Sequence, residues 1–340
     1  MPQDHTLLPI SALRYGVSIL CAAVASLTLG LPADARPKIT VFDPPGSVAT
    51  QPNSIKNGAI AGFYQDGSYL AHGFVRAVDG TFTIFDAPGA TNGTGGESIN
   101  DSGTVAGLYY DSNDYAHSLV RTPDGTITTF DPPQAVGSAA FGINDRGAIT
   151  GYYVDGGGTE HGYVRAPNGR ITTFDGASGA LGTVAYSINR SGAITGVYAD
   201  SNEAVHGFLR ARDGTITTFD VSGAMGTIGQ SINNDGAIAG YCGQSNGNVG
   251  FVRAADGTIT TFDPARGGGD FVSSIDQQGR ITGDYDNGMA HGFVRSAEGT
   301  ITTFDPPESK LTVAFGIDAG AVTGAYLDGN NVQHGFLRTR

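Results

Sequence analysis

Short runs rich in Ile, Val, Thr, Phe and Tyr alternate along the chain with clusters of Gly, Asn, Asp and Pro. The runs are about four to seven residues long, the length and composition of strands rather than helices. Within a segment such as GAITGYY, Ile149, Gly151 and Tyr153 share one face under the period of two that a strand imposes. No stretch spaces its apolar residues at the helical period. The pattern predicts strands throughout.

The runs also repeat. Phe-Asp pairs end at Asp43, Asp86, Asp131, Asp175, Asp220, Asp263 and Asp305, at spacings of 42 to 45 residues. Between them recur, in order, a SIN-like run, GAITGxY, HGFVR and TITTFD. The turn before the last run reads Asp79-Gly80, Asp124-Gly125, Asn168-Gly169, Asp213-Gly214, Asp256-Gly257 and Glu298-Gly299. Such dipeptides suit two-residue hairpins in which both central residues have φ > 0. Four antiparallel strands per unit of about 44 residues predict propeller blades. Six units are complete, and the remainder after Asp305 supplies three strands and stops where a TITTFD strand is due. Lys38–Asp43 (KITVFD) is that missing strand. The predicted fold is therefore an all-β, seven-bladed β-propeller of residues 36–340, four antiparallel strands per blade, closed by the N-terminal strand pairing with the C-terminal blade. That closure would cover sheet edges otherwise open to aggregation. Gly151 and Gly162 are expected to let neighbouring sheets approach.

Residues 1–35 depart from the pattern. Arg14 precedes a largely apolar run from Tyr15 to Leu31, and Ala33-Asp34-Ala35 offers small residues at a cleavage site. This is the layout of a secretory signal peptide; the run is short for a membrane span. The chain is expected to be secreted or periplasmic, by a bacterial Sec-type route, with no span left after cleavage. The full chain carries −13; losing one basic and two acidic residues leaves −12. With no basic stripe, nucleic acid is excluded as a partner. Cys242 is the only cysteine beyond residue 35, so no internal disulfide can form. The 53 glycines recur at fixed offsets and do not mark low complexity.

The units HGFVR, GTITTFDxPGA and SINxxGAITGxY resemble the repeat of the HAF-type probable extracellular repeat proteins of bacteria, over essentially the whole chain beyond the signal. Phe-Val or Phe-Leu follows His-Gly here, where the family name implies Ala-Phe. The resemblance implies export and tandem repetition and brings no activity with it. The terminal strand also resembles the clasp of WD-repeat propellers.

Candidate chemistry is spread around the repeat. His72, His117, His161, His206, His291 and His334 occupy one position, which unit five fills with Val249. Metal ligation or base catalysis is open to histidine, but hairpin register puts His72 opposite Asp86, and a structural His–Asp pair in each unit accounts for the recurrence. No catalytic residue and no metal site is assigned. Arg76, Arg121, Arg165, Arg210, Arg253, Arg295 and Arg338, with the repeated tyrosines, superficially suit a polysaccharide lyase; Arg and His, however, lie about 13 Å apart along their strand. Asp66, Asp111, Asp155, Asp200 and Asp328 follow the second strand. Calcium is the one cofactor they leave open, and turn formation is their simpler role. Gly243-Gln244-Ser245-Asn246-Gly247 fits a nucleophile-elbow pattern but has no helix to lead into.

The repeat breaks at Glu97, Arg266, Asp270, Glu308 and Lys310, and Tyr69 and Tyr115 place aromatics in loops. Arg266, Asp270, Tyr69, Tyr115 and Glu97 are the expected ligand contacts, on a face around blades five and six; loop drift is the competing account. The expected function is a non-catalytic binding or interaction propeller with a glycan or protein ligand. Its alternatives are a carbohydrate-active lyase or hydrolase and a structural surface repeat protein.

Overall fold

A computed structural model describes residues 37–264 and 269–339. The secretory-signal expectation and Arg266 lie outside the described residues. Among these residues there are twenty-eight strands and no helix. They follow the repeat. In unit three, Ala135–Ile143, Ile149–Asp155, Glu160–Arg165 and Ile171–Phe174 pair antiparallel in chain order. The same order holds in unit one (49–85), unit two (94–130), unit four (182–219), unit five (226–262) and unit six (271–304). Leu311–Asp318, Ala321–Leu327 and Gln333–Thr339 form unit seven, and its fourth strand is Lys38–Phe42. That strand runs antiparallel to Gln333–Thr339, from Lys38 opposite Thr339 to Phe42 opposite Gly335. Single parallel pairs, Ala49 with Gln333 and Val205 with Gly226, join two neighbouring units into larger sheets.

Every first-to-second strand pairing slips register at one shared position, as between Ala140 and Gly142 in unit three, which also slips between Ala135 and Gly137. The extra residue crowds the second strand, and a Cβ on Gly151 would collide with the carbonyl oxygen of Ala139 in its own sheet. Gly162 likewise makes room for the ring of Phe174 in its own unit. Both glycines thus serve packing inside a sheet, contrary to the expectation that they admit a neighbouring one. Sheet-to-sheet approach falls instead at Gly142, where a Cβ would stand 3.0 Å from the Tyr186 carbonyl of unit four.

The hairpins also differ from expectation. Gly80 has φ 91° but Asp79 has no positive φ. Gly80 N–H donates to Ala77 O at 2.9 Å and Ala77 N–H to Thr81 O at 2.8 Å. This is a type I turn followed by a left-handed glycine, which needs one positive φ rather than two. The acid is selected for a different reason: Asp79 Oδ1 accepts the Thr81 amide at 2.9 Å.

Units meet through the Phe-Asp motif. Phe174 of unit three packs edge-on against Phe208 of unit four at 5.8 Å, and Phe262 against Phe293 at 6.0 Å. Phe42 does the same to Phe74 of unit one at 6.4 Å. Each repeated arginine lies over the phenylalanine of the preceding unit, 4.6 to 5.4 Å from its centroid. Side-chain amides run from unit to unit as well: Asn100 to Asn144 O, Asn144 to Asn189 O and Asn189 to Asn233 O, at 2.8 to 3.1 Å. Unit seven in turn meets unit one, where the Asn57 amide donates to Asp318 Oδ2 at 2.8 Å and Gln333 Nε2 to Thr50 O at 3.0 Å.

Candidate functional site

The first strands of the units converge on a cavity of about 210 Å³. A smaller, polar cavity of about 110 Å³ is lined by the first strands of all seven units. One repeat position recurs in its walls: Asn53, Glu97, Phe141, Tyr186, Gln230, Ser273 and Phe315, each just before the Ser or Gly at the register slip. The scaffold around this column repeats and the column itself does not. The larger cavity has aromatic walls from Tyr241, Phe271 and Phe315, amides from Gln51, Asn53, Gln230 and Gln333, and carboxyls from Glu97 and Asp284. Among the described residues no Lys, Arg or His lines it.

Asp284 stands opposite Phe271 in the first-to-second strand register of unit six. It is 8% exposed, and among the described residues its carboxyl has no hydrogen-bond or ion-pair partner. Burial, then the carboxylates of Asp286 and Asp270, hold it well above the usual carboxylate range. The other units carry Phe63, Leu108, Tyr152, Val197, Tyr241 and Ala325 at this position. Asp284 was not among the sequence candidates, although reading the GxY motif column by column across units exposes it.

Two candidates sit elsewhere than expected. Glu97 belongs to a strand, Thr94–Ile99, rather than a surface loop; it is 4% exposed and accepts Asn53 Nδ2 at 3.3 Å. Asp270 is fully buried and, among the described residues, neither of its oxygens has a hydrogen-bond partner, so it is not the surface contact that a loop placement implied. It fills a position where the other units bury Thr50, Thr94, Ser138, Thr183, Thr227 and Thr312. Burial and the nearby Asp263 carboxylate push it up to about 7. Tyr69 and Tyr115 do stand in exposed loops, at 74% and 51% exposure, and neither lines the cavities. Of the candidates that fall among the described residues, Glu97, Asp270, Tyr69 and Tyr115, only Glu97 lines the cavity.

The six histidines are built alike. Nδ1 of His72, His117, His161, His206, His291 and His334 lies 2.7 to 3.0 Å from the Phe-Asp aspartate of the same unit, Asp43 serving His334. Each ring packs on the repeated tyrosine, as His161 does on Tyr153 at 5.0 Å. In five of them Nε2 is 3.4 to 3.8 Å from the loop aspartate, for example Asp155 beside His161. Those aspartates spend their Oδ1 atoms on their own turns: Asp66 Oδ1 accepts the amides of Ser68 and Leu70. Among the described residues no group of three or more His, Cys, Asp or Glu could hold a metal ion. Gly243 and Gln244 end one strand and Gly247 begins the next, with Gln244 opposite Gly247, so the elbow-like string is a β-hairpin. No helix among the described residues is long and apolar enough to cross a membrane.

No family model matches the chain, and no curated protein matches it. Solved structures do. The β-propeller domain of the Trilobed protease from Pyrococcus furiosus, described as having an open velcro topology, aligns with TM-score 0.62 at 9% identity, covering 86% of this chain and 95% of that one. A catalytically inactive virginiamycin B lyase from Staphylococcus aureus with quinupristin aligns with TM-score 0.60 at 16% identity, over 90% and 100%. A streptogramin B lyase aligns with TM-score 0.58 at 14% identity, over 88% and 97%. Identities this low speak to fold alone: the protein is an all-β chain with a β-propeller fold.

Proposed function

We propose that this chain is an exported, seven-bladed propeller, sealed by its amino-terminal strand, that binds a small glycan or glycan end in its central cavity without turning it over. Seven units of four strands, contacts from unit seven to unit one, and Phe42 seated like every other Phe-Asp phenylalanine support the sealed ring. The signal-like residues 1–35 and the HAF-type resemblance support export.

The observation that carries the binding reading is the cavity wall. Aromatic rings beside amide side chains, at positions where the repeat varies, offer stacking surface and hydrogen bonds to a small polar ring. A second reading, a glycoside hydrolase, rests on Glu97 and Asp284 sharing that cavity, with burial favouring the protonated form of Asp284, since such enzymes use an acid and a carboxylate together. The lyase reading loses ground, because a uronate would meet two acids and no cation.

A glycan array with the purified protein tests the proposal, followed by turnover assays on each hit. The expected result is binding that Tyr241→Ala or Phe271→Ala weakens at least tenfold, with the glycan recovered intact. Release of new reducing ends would move the assignment to the hydrolase. A folded protein that binds no glycan would overturn the proposal in favour of a protein partner or a structural repeat.

A further inference from the structure

We propose that the ligand of the central cavity is an organic cation carrying a protonated amine, with Asp284 as its counter-ion. This rests on the reading that the cavity is the ligand site, and adds the chemical class of what enters it.

Charge is the first argument. Among the described residues the cavity presents two carboxyls, Glu97 and Asp284, and no basic side chain, in a chain of net charge −13. An anionic ligand would be repelled at long range and again at contact. Glu97 already accepts a hydrogen bond from Asn53, whereas among the described residues no other residue's side chain pairs with the Asp284 carboxyl, which has only its own backbone amide.

Burial is the second. A carboxyl 8% exposed and unpartnered is costly to keep, and the six equivalent positions use apolar or aromatic side chains instead. A group that the fold neither needs nor satisfies, facing a cavity, is explained by what comes into that cavity. Among the described residues the charges acting on Asp284 are acids, Asp286 on its own strand and Asp270 on the approach to the neighbouring strand, partly offset by its own backbone amide, and Glu97 lines the same cavity.

The rings are the third. Phe271 is the cross-strand neighbour of Asp284, and Tyr241 packs edge-on to Phe271 at 5.3 Å. Aromatic faces attract ammonium groups, most strongly where water is excluded. A carboxylate flanked by rings, with the Gln230 amide in the same walls, is a site for an ammonium on a small polar body. A cavity of about 210 Å³ holds a single amino sugar or a short diamine.

The proton balance follows. In the empty cavity, burial and the neighbouring carboxylates favour the protonated form of Asp284. On binding, that form gives its proton to solvent and the carboxylate pairs with the entering R–NH₃⁺, so up to one proton is released per ligand and no other bond changes.

The test is calorimetry with the full chain at pH 7, in two buffers of different ionisation enthalpy. Matched pairs serve as probes: glucosamine with glucose, ethanolamine with ethylene glycol, and putrescine with butane-1,4-diol. The expected result is at least one ammonium probe binding at least tenfold tighter than its neutral partner, with net release of up to one proton. Asp284→Asn keeps the shape and should erase both the preference and the proton release; Asp284→Ala, which installs the residue found at Ala325, should do the same if the amide disturbs packing. If glucose binds as tightly as glucosamine and no other ammonium probe exceeds its partner, the cation is wrong while the glycan site stands. If the folded protein binds no probe, or the preference survives both substitutions, the proposal is overturned.

Discussion

The junction between units two and three and that between units five and six are built from the same strands, yet their polar layers are opposite in kind. At the first, Asp131 receives His117 at 2.9 Å and the Ser138 hydroxyl at 2.7 Å. At the second, Val249 stands where the histidine should be, and Asp270 where the hydroxyl should be. Two donors are gone and a buried acid has been added. The apolar layer is unchanged: Arg165 lies over Phe130 and Arg295 over Phe262 in the same way. A regular junction satisfies itself, whereas the departure at unit six buries the Asp270 carboxyl, without a side-chain partner among the described residues, in the same unit as Asp284.

If regular junctions carry stability, breaking one should have the largest effect of any change considered. Deleting residues 38–43 removes a five-residue ladder, the His334–Asp43 bond and the ring beneath Arg76. Phe42→Ala alone should cost about 3–5 kcal/mol. The deletion should cost more, seen as a sharp drop in melting temperature by near-ultraviolet circular dichroism. An unchanged melt would mean that the amino-terminal strand seals nothing.

The irregular junction should respond in the opposite direction. Asp270 has a folded pKa of about 7, above the roughly 3.9 of an unfolded aspartate. The folded state therefore binds more protons between those values, and this residue's contribution falls as pH rises from about 4 to 7. Asp270→Thr, which restores the hydroxyl of the other units, should leave stability near the parent's at pH 4. By pH 8 it should be more stable, by up to roughly 4 kcal/mol. Urea unfolding at the two pH values measures it; equal differences at both would sink the buried-acid account.

Much of this was legible in the residues, for definite physical reasons. Alternating patterns, turn residues and a fixed period located the strands, and the orphan KITVFD segment pointed to the pairing of Lys38–Phe42 with Gln333–Thr339. The cavity wall was not legible. Which face of a strand looks inward depends on a single register slip, and one residue of slip turns every later side chain to the other face. That is why Glu97 read as a loop residue and Asp284 passed unnoticed. Asp270 was seen as irregular, but its burial emerges only when it is aligned with Thr50, Thr183 and Thr227. The hairpin geometry was misread because Asp-Gly suits both turn types, and only the chain path chooses between them.

The claim that the two kinds of junction share one apolar layer has its own test. A Cβ on Gly207 would strike the ring of Phe219, and one on Gly250 the ring of Phe262. Gly207→Ala and Gly250→Ala should therefore each cost about 1–3 kcal/mol by overpacking, and by similar amounts. A much smaller loss at Gly250 would show that unit five is loosely packed as well as chemically distinct.

The smallest effect belongs to a single imidazole of the regular kind. Burial lowers the His161 pKa, but hydrogen bonds and charge from Asp175 and Asp155 outweigh it, and the net shift is upward. The stabilisation this brings is fully present below the unfolded value near 6.5 and is lost as pH rises through the higher folded value. The pair is partly exposed and screened, so it is worth about 1 kcal/mol or less. His161→Gln should destabilise by that amount at pH 5.5 and by less at pH 9, measured as a shift in urea midpoint with unchanged slope. An equal loss at both values would assign the histidine's contribution to its stacking on Tyr153 rather than to its charge, and the regular junctions would then owe their stability to packing as fully as the irregular one does.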